Sequence, residues 1–328
     1  GPSLLTFNKE NPAGYGRIVR GSRNKIEAII EEKDASTSQK EITEVNSGIM
    51  AFKAKDLIRL LGKIRNNNKA KEFYLTDAVY EAHLEKLNIQ SLRLSDADEV
   101  LGCNTPEELQ VLEKAYHVST AKKFLNKGVS FADIEKVKFR GNVSIEKGAF
   151  IDENVIFEGA VSIAANAKIG PGCIVSNSTI GKNSELLAYS YVEESMLESN
   201  AKAGPFAHIG VQTKMEEGAE IGNFVETKRS NIGPNSKAKH LAYIGDGRIG
   251  KGVNIGAGTI FCNYDGVKKH ITKIEDDAFI GSNSALVAPL TIGAKSYVGS
   301  GSVVTKNVGK GQLAIGRGRQ KNMPNRKK

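Results

Sequence analysis

The chain has 328 residues, 40% of them hydrophobic, with no Trp and a formal charge of +9. That is length enough for two domains and a core of aliphatic rather than aromatic side chains. Cys103, Cys173 and Cys262 stand far apart without a CxxC pair, no secretory signal pattern opens the chain, and no apolar run is long enough to span a bilayer; no disulfide framework or zinc site is indicated, and a reducing cytoplasm is the expected setting.

Gly1-Pro2-Ser3 has the form of a protease-cleavage scar, so the natural protein is expected to begin further upstream. Residues 4–103 read as α/β. Leu4–Phe7, Arg17–Arg20, Lys25–Glu31 and Gly48–Phe52 are strand-like, the first two joined through a turn over residues 11–16. Ala54–Ile64 carries Leu57, Leu60, Leu61 and Ile64 at helical spacing, and Thr76 is placed to N-cap a helix running to about Leu87. The segment reads as the back half of a domain. A long helix follows over Pro106–Asn126, with Pro106 in its first turn, Glu107 and Glu108 complementing the dipole and Gly128 at its exit. Its length suggests a strut between two domains.

From about Val143 to Val304 apolar residues return every sixth position. Ile145, Ile151, Phe157, Ile163 and Ile169 keep the beat; Leu197, Ala203, Ile209, Met215 and Ile221 resume it after slips; Ile274, Ile280, Leu286, Ile292, Val298 and Val304 close it. A period of six fits neither a helix nor an alternating strand. It fits a short strand and a tight turn, three to a triangular coil, with coils stacked at about 4.8 Å around an aliphatic column. The expected fold is a hexapeptide-repeat parallel β-helix. Phe261–Thr272 lacks the beat and reads as a loop extruded from the solenoid.

Three chemistries are open. His208, His240 and His270 on a β-helix raise a zinc hydratase of the γ-carbonic anhydrase type, but separations of 32 and 30 residues without paired histidines argue against it. A single histidine as general base is the second, because an imidazole titrates near neutral pH. His240 has Glu226, Lys228, Tyr243, Asn254, Asn263, Tyr264 and Lys269 on nearby turns or on the loop, and lysine with tyrosine suits a phosphate. The third is a binding protein without catalysis. A solenoid core is too thin to hold such a site, so a groove between solenoids, and hence an oligomer, is implied. The basic tail from Arg317 to Lys328 reads equally as a solvated terminus, a phosphate clamp or a nucleic-acid contact, although no nucleic-acid motif accompanies it.

The interruptions of the repeat carry a resemblance. Residues 11–18 (NPAGYGRI), 30–35 (IEEKDA), 45–48 (VNSG), 204–207 (GPFA), 222–228 (GNFVETK), 254–259 (NIGAGT) and 262–266 (CNYDG) occur in an order that resembles the bacterial bifunctional N-acetylglucosamine-1-phosphate uridyltransferase / glucosamine-1-phosphate acetyltransferase family, over nearly the whole chain. The resemblance implies an α/β partial nucleotidyltransferase (Rossmann-like) domain over 1–105, a linker helix over 106–128, a left-handed parallel β-helix of hexapeptide repeats over 129–316 and a basic tail over 317–328.

It also implies roles. His240 matches the family's general base, taking a proton from the amine of glucosamine 1-phosphate. Lys228, Tyr243, Asn254 and Lys269 match positions that hold the sugar phosphate. Ala257, Asn263, Tyr264, Ser282, Ser300 and Arg317 match acetyl-CoA positions, Ser300 standing where alanine is frequent, and this favours the clamp reading of the tail. Gly16, Glu31, Asn46 and Asn104 match UDP-GlcNAc positions, with Asn104 also a Mg²⁺ ligand. The implied assembly is a cytoplasmic homotrimer with sites between subunits, acting on small molecules (glucosamine 1-phosphate, UTP, UDP-N-acetylglucosamine) and on neither nucleic acid nor membrane. Two departures are expected to matter. The family's Gly-rich nucleotide loop, its phosphate-contacting lysine and its metal-binding aspartate should precede residue 4, so uridyl transfer is expected of the intact protein and not of this chain. Gly210 stands where the family carries an arginine against the sugar phosphate, and the alternatives are substitution by Lys214 or a shifted loop, or a weaker phosphate affinity. The implied product, N-acetylglucosamine 1-phosphate, leads to UDP-N-acetylglucosamine for cell-wall and lipopolysaccharide synthesis; the alternative is a non-catalytic sugar-phosphate or sugar-nucleotide binder.

Overall fold

The computed structural model describes residues 1–95, 97–103 and 105–324, with Asp98 described through its backbone alone. The chain divides into two compact units, Gly1–Tyr116 and His117–Lys328. The boundary falls inside the long helix.

The first unit is a mixed five-stranded sheet carrying helices. Strands β1 (Ser3–Asn8), β2 (Arg17–Arg20), β3 (Ile26–Ile30), β4 (Glu44–Ala51) and β5 (Gln90–Leu94) lie in the order β3-β2-β4-β1-β5. Pairing is antiparallel except between β1 and β5. Leu4, Ile18, Ile26, Ile29 and Val79 form its core, which is the alternation read in those segments. The fourth strand begins four residues earlier than its apolar run, at Glu44, because that glutamate is buried and satisfied by arginines rather than excluded. Helix α1 (Thr37–Lys40) is a single turn closed by a capping box between Ser36 and Gln39. Helix α2 spans Ala54–Leu61 and α3 spans Asp77–Leu84. Thr76 stands at the head of α3, but its hydroxyl donates to Glu31 Oε1 at 2.8 Å instead of capping the helix.

Helix α4 (Pro106–Leu125) starts where the sequence places it. In the second unit Ala121 and Phe124 enter the solenoid core, and the rings of Phe124, Phe139 and Phe157 follow one another at 5.8 Å. The backbone N–H of Phe139 donates to His117 Nδ1 at 3.1 Å. This end of the aliphatic column is thereby closed, as a solenoid requires.

Beyond it lies a left-handed parallel β-helix of about ten coils. Every residue of the sixfold beat is buried, from Ile145 to Val304. Before the loop, matching strands recur after 17 or 18 residues, as Lys168 beside Glu185, Glu185 beside Lys202 and Lys202 beside Glu220. The slips in the beat are the sides that are one residue short, as from Val175 to Ile180 and from Val192 to Leu197, all four buried. Thr227 fills one column slot with its hydroxyl unpartnered. Corners turn through residues in the left-handed region, asparagine prominent among them (Asn166, Asn183 and Asn200).

Candidate functional site

The coil that begins at Lys237 carries the central residues. Its first face is Lys237–His240, its second Tyr243–Gly245 and its third Gly247–Ile249. The corners between them turn at Leu241 (φ 50°) and Asp246 (φ 53°).

His240 ends the first face, exposed, with Asn223 as its register partner one coil before. Nδ1 lies 2.6 Å from Asn223 Oδ1. The corner after His240 stacks on its neighbours through backbone hydrogen bonds, Leu241 N to Asn223 O (3.0 Å), Asn283 N to Ala257 O (2.7 Å) and Gly301 N to Ser282 O (2.8 Å). His240, Ala257, Ser282 and Ser300 therefore follow one edge of the solenoid, and Arg317 reaches that edge by donating to Ser300 O. Four rungs separate His240 from Arg317, about 19 Å at strand spacing. The residue at the turn itself is bulky below His240 (Tyr189, Phe206 and Phe224, stacked at 5.4 and 5.5 Å, then Leu241) and small above it (Gly258, Asn283, Gly301). The edge is crowded on one side of the histidine and open on the other.

The second face holds Lys228 and Tyr243. Parallel register sets Glu226 beside Tyr243 and Lys228 beside Gly245. A Cβ at Gly245 would come within 2.6 Å of the Tyr243 hydroxyl, so glycine here lets the ring fold across the strand. Gly210 lies one coil before, its N–H donating to Thr227 O at 2.9 Å. Lys228 is thus flanked by glycine on both sides. Lys214 does not fill the gap, being held by Glu198 at 2.7 Å and Glu216 at 3.9 Å.

The loop that breaks the beat is ordered by its own polar groups. Asn263 turns inward and is buried, its Nδ2 donating to Asp246 Oδ2 at 2.6 Å. Arg229 grips the same carboxylate, Nε to Oδ1 at 2.7 Å and Nη2 to Oδ2 at 2.9 Å. These bonds from Arg229, opposed by burial and joined by Asn263 and the charge of Lys269, hold the Asp246 carboxyl below its ordinary value. Outside, Asp265 accepts from the N–H groups of Lys268 (2.6 Å) and Val267 (2.7 Å) and lies 2.6 Å from His270 Nε2. The Lys268 N–H, His270 and the Val267 N–H together hold its carboxyl well below the usual carboxylate range. Tyr264 and Lys269 pair across the loop.

Lys228, Tyr243, Asn263 and Lys269 are therefore brought together about Asp246. Asn254 is not among them, since it lies on the first face beside Lys237. One chain spreads the expected residues over two faces. The three histidines have separate partners, His208 lying 3.2 Å from Glu193 Oε1, and among the described residues no group of three or more His, Cys, Asp or Glu is placed to hold a metal ion.

In the first unit Asn46 N donates to Gly16 O at 2.9 Å, and a Cβ on Gly16 would stand 3.4 Å from Glu31 Oε1, so these three form one cluster. Asn46 Oδ1 is buried without a partner there. Asn104 lies outside the described residues. Asn223, Arg229 and Asp246 escaped the sequence reading. Their signal is the coil length, since Asn223 precedes His240, and Arg229 precedes Asp246, by 17 residues.

Residues 139–209 match the GMPPB C-terminal domain, and residues 271–306 the hexapeptide repeat of succinyl-transferase. The bifunctional protein GlmU of Marinobacter nauticus is 42% identical over 321 residues, covering 98% of this chain and 71% of that protein. Those of Cellvibrio japonicus and Pseudoalteromonas atlantica are 44% identical over the same shares. The chain belongs to the GlmU family. Among solved structures, LpxA from Acinetobacter baumannii aligns with 55% of this chain and 71% of its own at 19% identity, TM-score 0.41. The GlmU relationship, unlike that one, spans both units and all the sites above.

Proposed function

We propose that this chain transfers the acetyl group of acetyl-CoA to the amine of glucosamine 1-phosphate. The observation that carries the reading is the solenoid edge. It presents an exposed imidazole at one end, an arginine about four rungs away, and small residues between, which suits an extended acyl donor whose thioester lies at His240 and whose phosphates lie toward Arg317. GlmU kinship supports both an acyl-CoA cosubstrate and the second, uridyltransferase role of the family.

The chemistry follows from the groups present. The amine nitrogen attacks the thioester carbonyl as His240 Nε2 takes its proton, a tetrahedral intermediate forms, and the carbon–sulfur bond breaks to release CoA thiolate, which regains a proton. Lys228 and Lys269 supply positive charge, and Tyr243 a hydroxyl, to the sugar phosphate. Asn254 would complete the pocket from a neighbouring solenoid, so the working form is a homotrimer with sites between subunits. In the uridyltransferase half, the Gly16–Glu31–Asn46 cluster with its unpartnered amide oxygen suits a sugar nucleotide such as UDP-N-acetylglucosamine, formed from the acetylated product and UTP. Mg²⁺ would neutralise phosphate charge there; the ligand expected of this chain, Asn104, lies outside the described residues. Cys103, Cys173 and Cys262 are free thiols, in keeping with a reducing cytoplasm, and among the described residues no helix is long and apolar enough to cross a membrane.

The test is release of CoA thiol from acetyl-CoA with glucosamine 1-phosphate present or absent. Substrate-dependent release, reduced by about 10²–10⁴ in His240→Ala while acetyl-CoA still binds, is the expected outcome. Turnover unchanged in that variant removes His240 from the mechanism. Gly210 beside Lys228 favours a second reading, a sugar-phosphate binder without catalysis, and saturable binding with no thiol release from an assembled protein would select it.

A further inference from the structure

We infer that Asn223 is a positioning residue for His240, holding the imidazole in the tautomer that acts as base. The inference rests on the proposed role of His240 and adds a second group to it.

The fold puts the two side chains together by register. Asn223 and His240 are strand partners, each is followed by a residue in the left-handed region (Phe224, φ 55°, and Leu241, φ 50°), and Leu241 N donates to Asn223 O. Both side chains therefore leave superposed corners at rung spacing, and Asn223 Oδ1 meets His240 Nδ1 at 2.6 Å. An amide oxygen can only accept, so the proton sits on Nδ1 and Nε2 is left with its lone pair. Without that acceptor an imidazole in water shares its proton between both nitrogens, and part of the population presents an N–H where a base is needed.

The choice of asparagine over aspartate has a consequence of its own. A neutral acceptor fixes the tautomer and favours the imidazolium less than a carboxylate in its place would. The surrounding charges leave that arrangement alone. On the strand that carries Asn223, Glu220 is occupied by Lys237 at 3.1 Å and by Lys239, the two lysines of His240's own strand. The following coil offers neutral Asn254 opposite Lys237, and on the second face Glu226 is the strand partner of Tyr243.

Three variants of the full chain test this, read by thiol release as pH profiles of kcat/KM. Asn223→Ala should lower kcat about tenfold with the KM for acetyl-CoA unchanged. Asn223→Asp should restore most of kcat at high pH and move the acid limb upward by about one pH unit, because the carboxylate favours the imidazolium. A role in packing alone predicts a loss in both variants with the acid limb in place, and that result overturns the inference while leaving His240 as base. If His240→Ala turns over like the unaltered chain, the proposed base falls and Asn223 with it.

Discussion

Lys228 lies between two glycines, and replacing one of them should tighten the site. Gly210→Arg would place a guanidinium one rung from the Lys228 ammonium, over the position assigned to the sugar phosphate. A charge-assisted hydrogen bond contributes about 1.5–3 kcal/mol. The lower end applies here, because the groove is open to water and Glu193, one coil earlier and 3.2 Å from both Tyr191 Oη and His208 Nε2, competes for the new cation. About 1.5 kcal/mol corresponds to roughly a tenfold lower KM for glucosamine 1-phosphate. Stability moves the other way. A Cβ on Gly210 would stand 2.6 Å from Thr227 O, so the rungs must part slightly; Glu193 and Lys228 carry side chains in the same column, which sets the cost at about 1 kcal/mol and a melting point lower by about 2–4 °C. Thiol release at varied glucosamine 1-phosphate reads the KM, and kcat should stay level because His240 is on another face. Gly210→Ala is the control, carrying the same Cβ without the charge. An unchanged or raised KM in a Gly210→Arg protein that melts and turns over as described would refute the assignment of Lys228 to the phosphate.

Two further outcomes concern ion pairs. Asp246→Asn should release Asn263 and loosen the loop it anchors, raising the KM for acetyl-CoA several-fold and increasing amide exchange across residues 263–270; unaltered exchange there would mean that the loop holds itself. In the first unit burial alone would raise the Glu44 carboxyl, but hydrogen bonds from Arg20, Thr6 and Arg93 outweigh it and bring it from 4.5 to about 2. Its ionisation therefore stabilises the fold fully above pH 4.5, by about 3 kcal/mol, and that contribution is lost as pH falls toward 2. Glu44→Gln should melt well below the unaltered chain at neutral pH, with the gap narrowing as the solution is acidified, whereas a constant gap would show that the charge is not what matters.

The solenoid was legible because burial repeats with the coil. Each aliphatic in the beat marks one side, and a side that is a residue short breaks the beat without changing the inward direction of Ile180 or Leu197. Thr227 was invisible to that reading, a polar residue in an aliphatic slot. In the first unit β5 was missed because four of its five residues are exposed and little hydrophobic alternation marks it. Glu44 was missed for the opposite reason, a charged residue buried among arginines distant in sequence. Site residues on the resembling motifs were found singly, but their grouping was not. Only stacked coils reveal that His240 shares an edge with Ser282 and Ser300, and that Asn254 lies on that first face, apart from Lys228 and Tyr243 on the second.

The edge from His240 to Arg317 also works as a graduated scale. Its marks are backbone hydrogen bonds between coils, so the separation of any two side chains along it changes only in whole steps of about 4.8 Å. Adding one coil between Ser282 and Ser300 would carry the arginine one step further from the imidazole while leaving every strand on either side correctly paired. Reach toward a long ligand is thus set by counting coils, and a solenoid of this kind can be retuned to a longer or shorter donor without redesigning the residues that touch it.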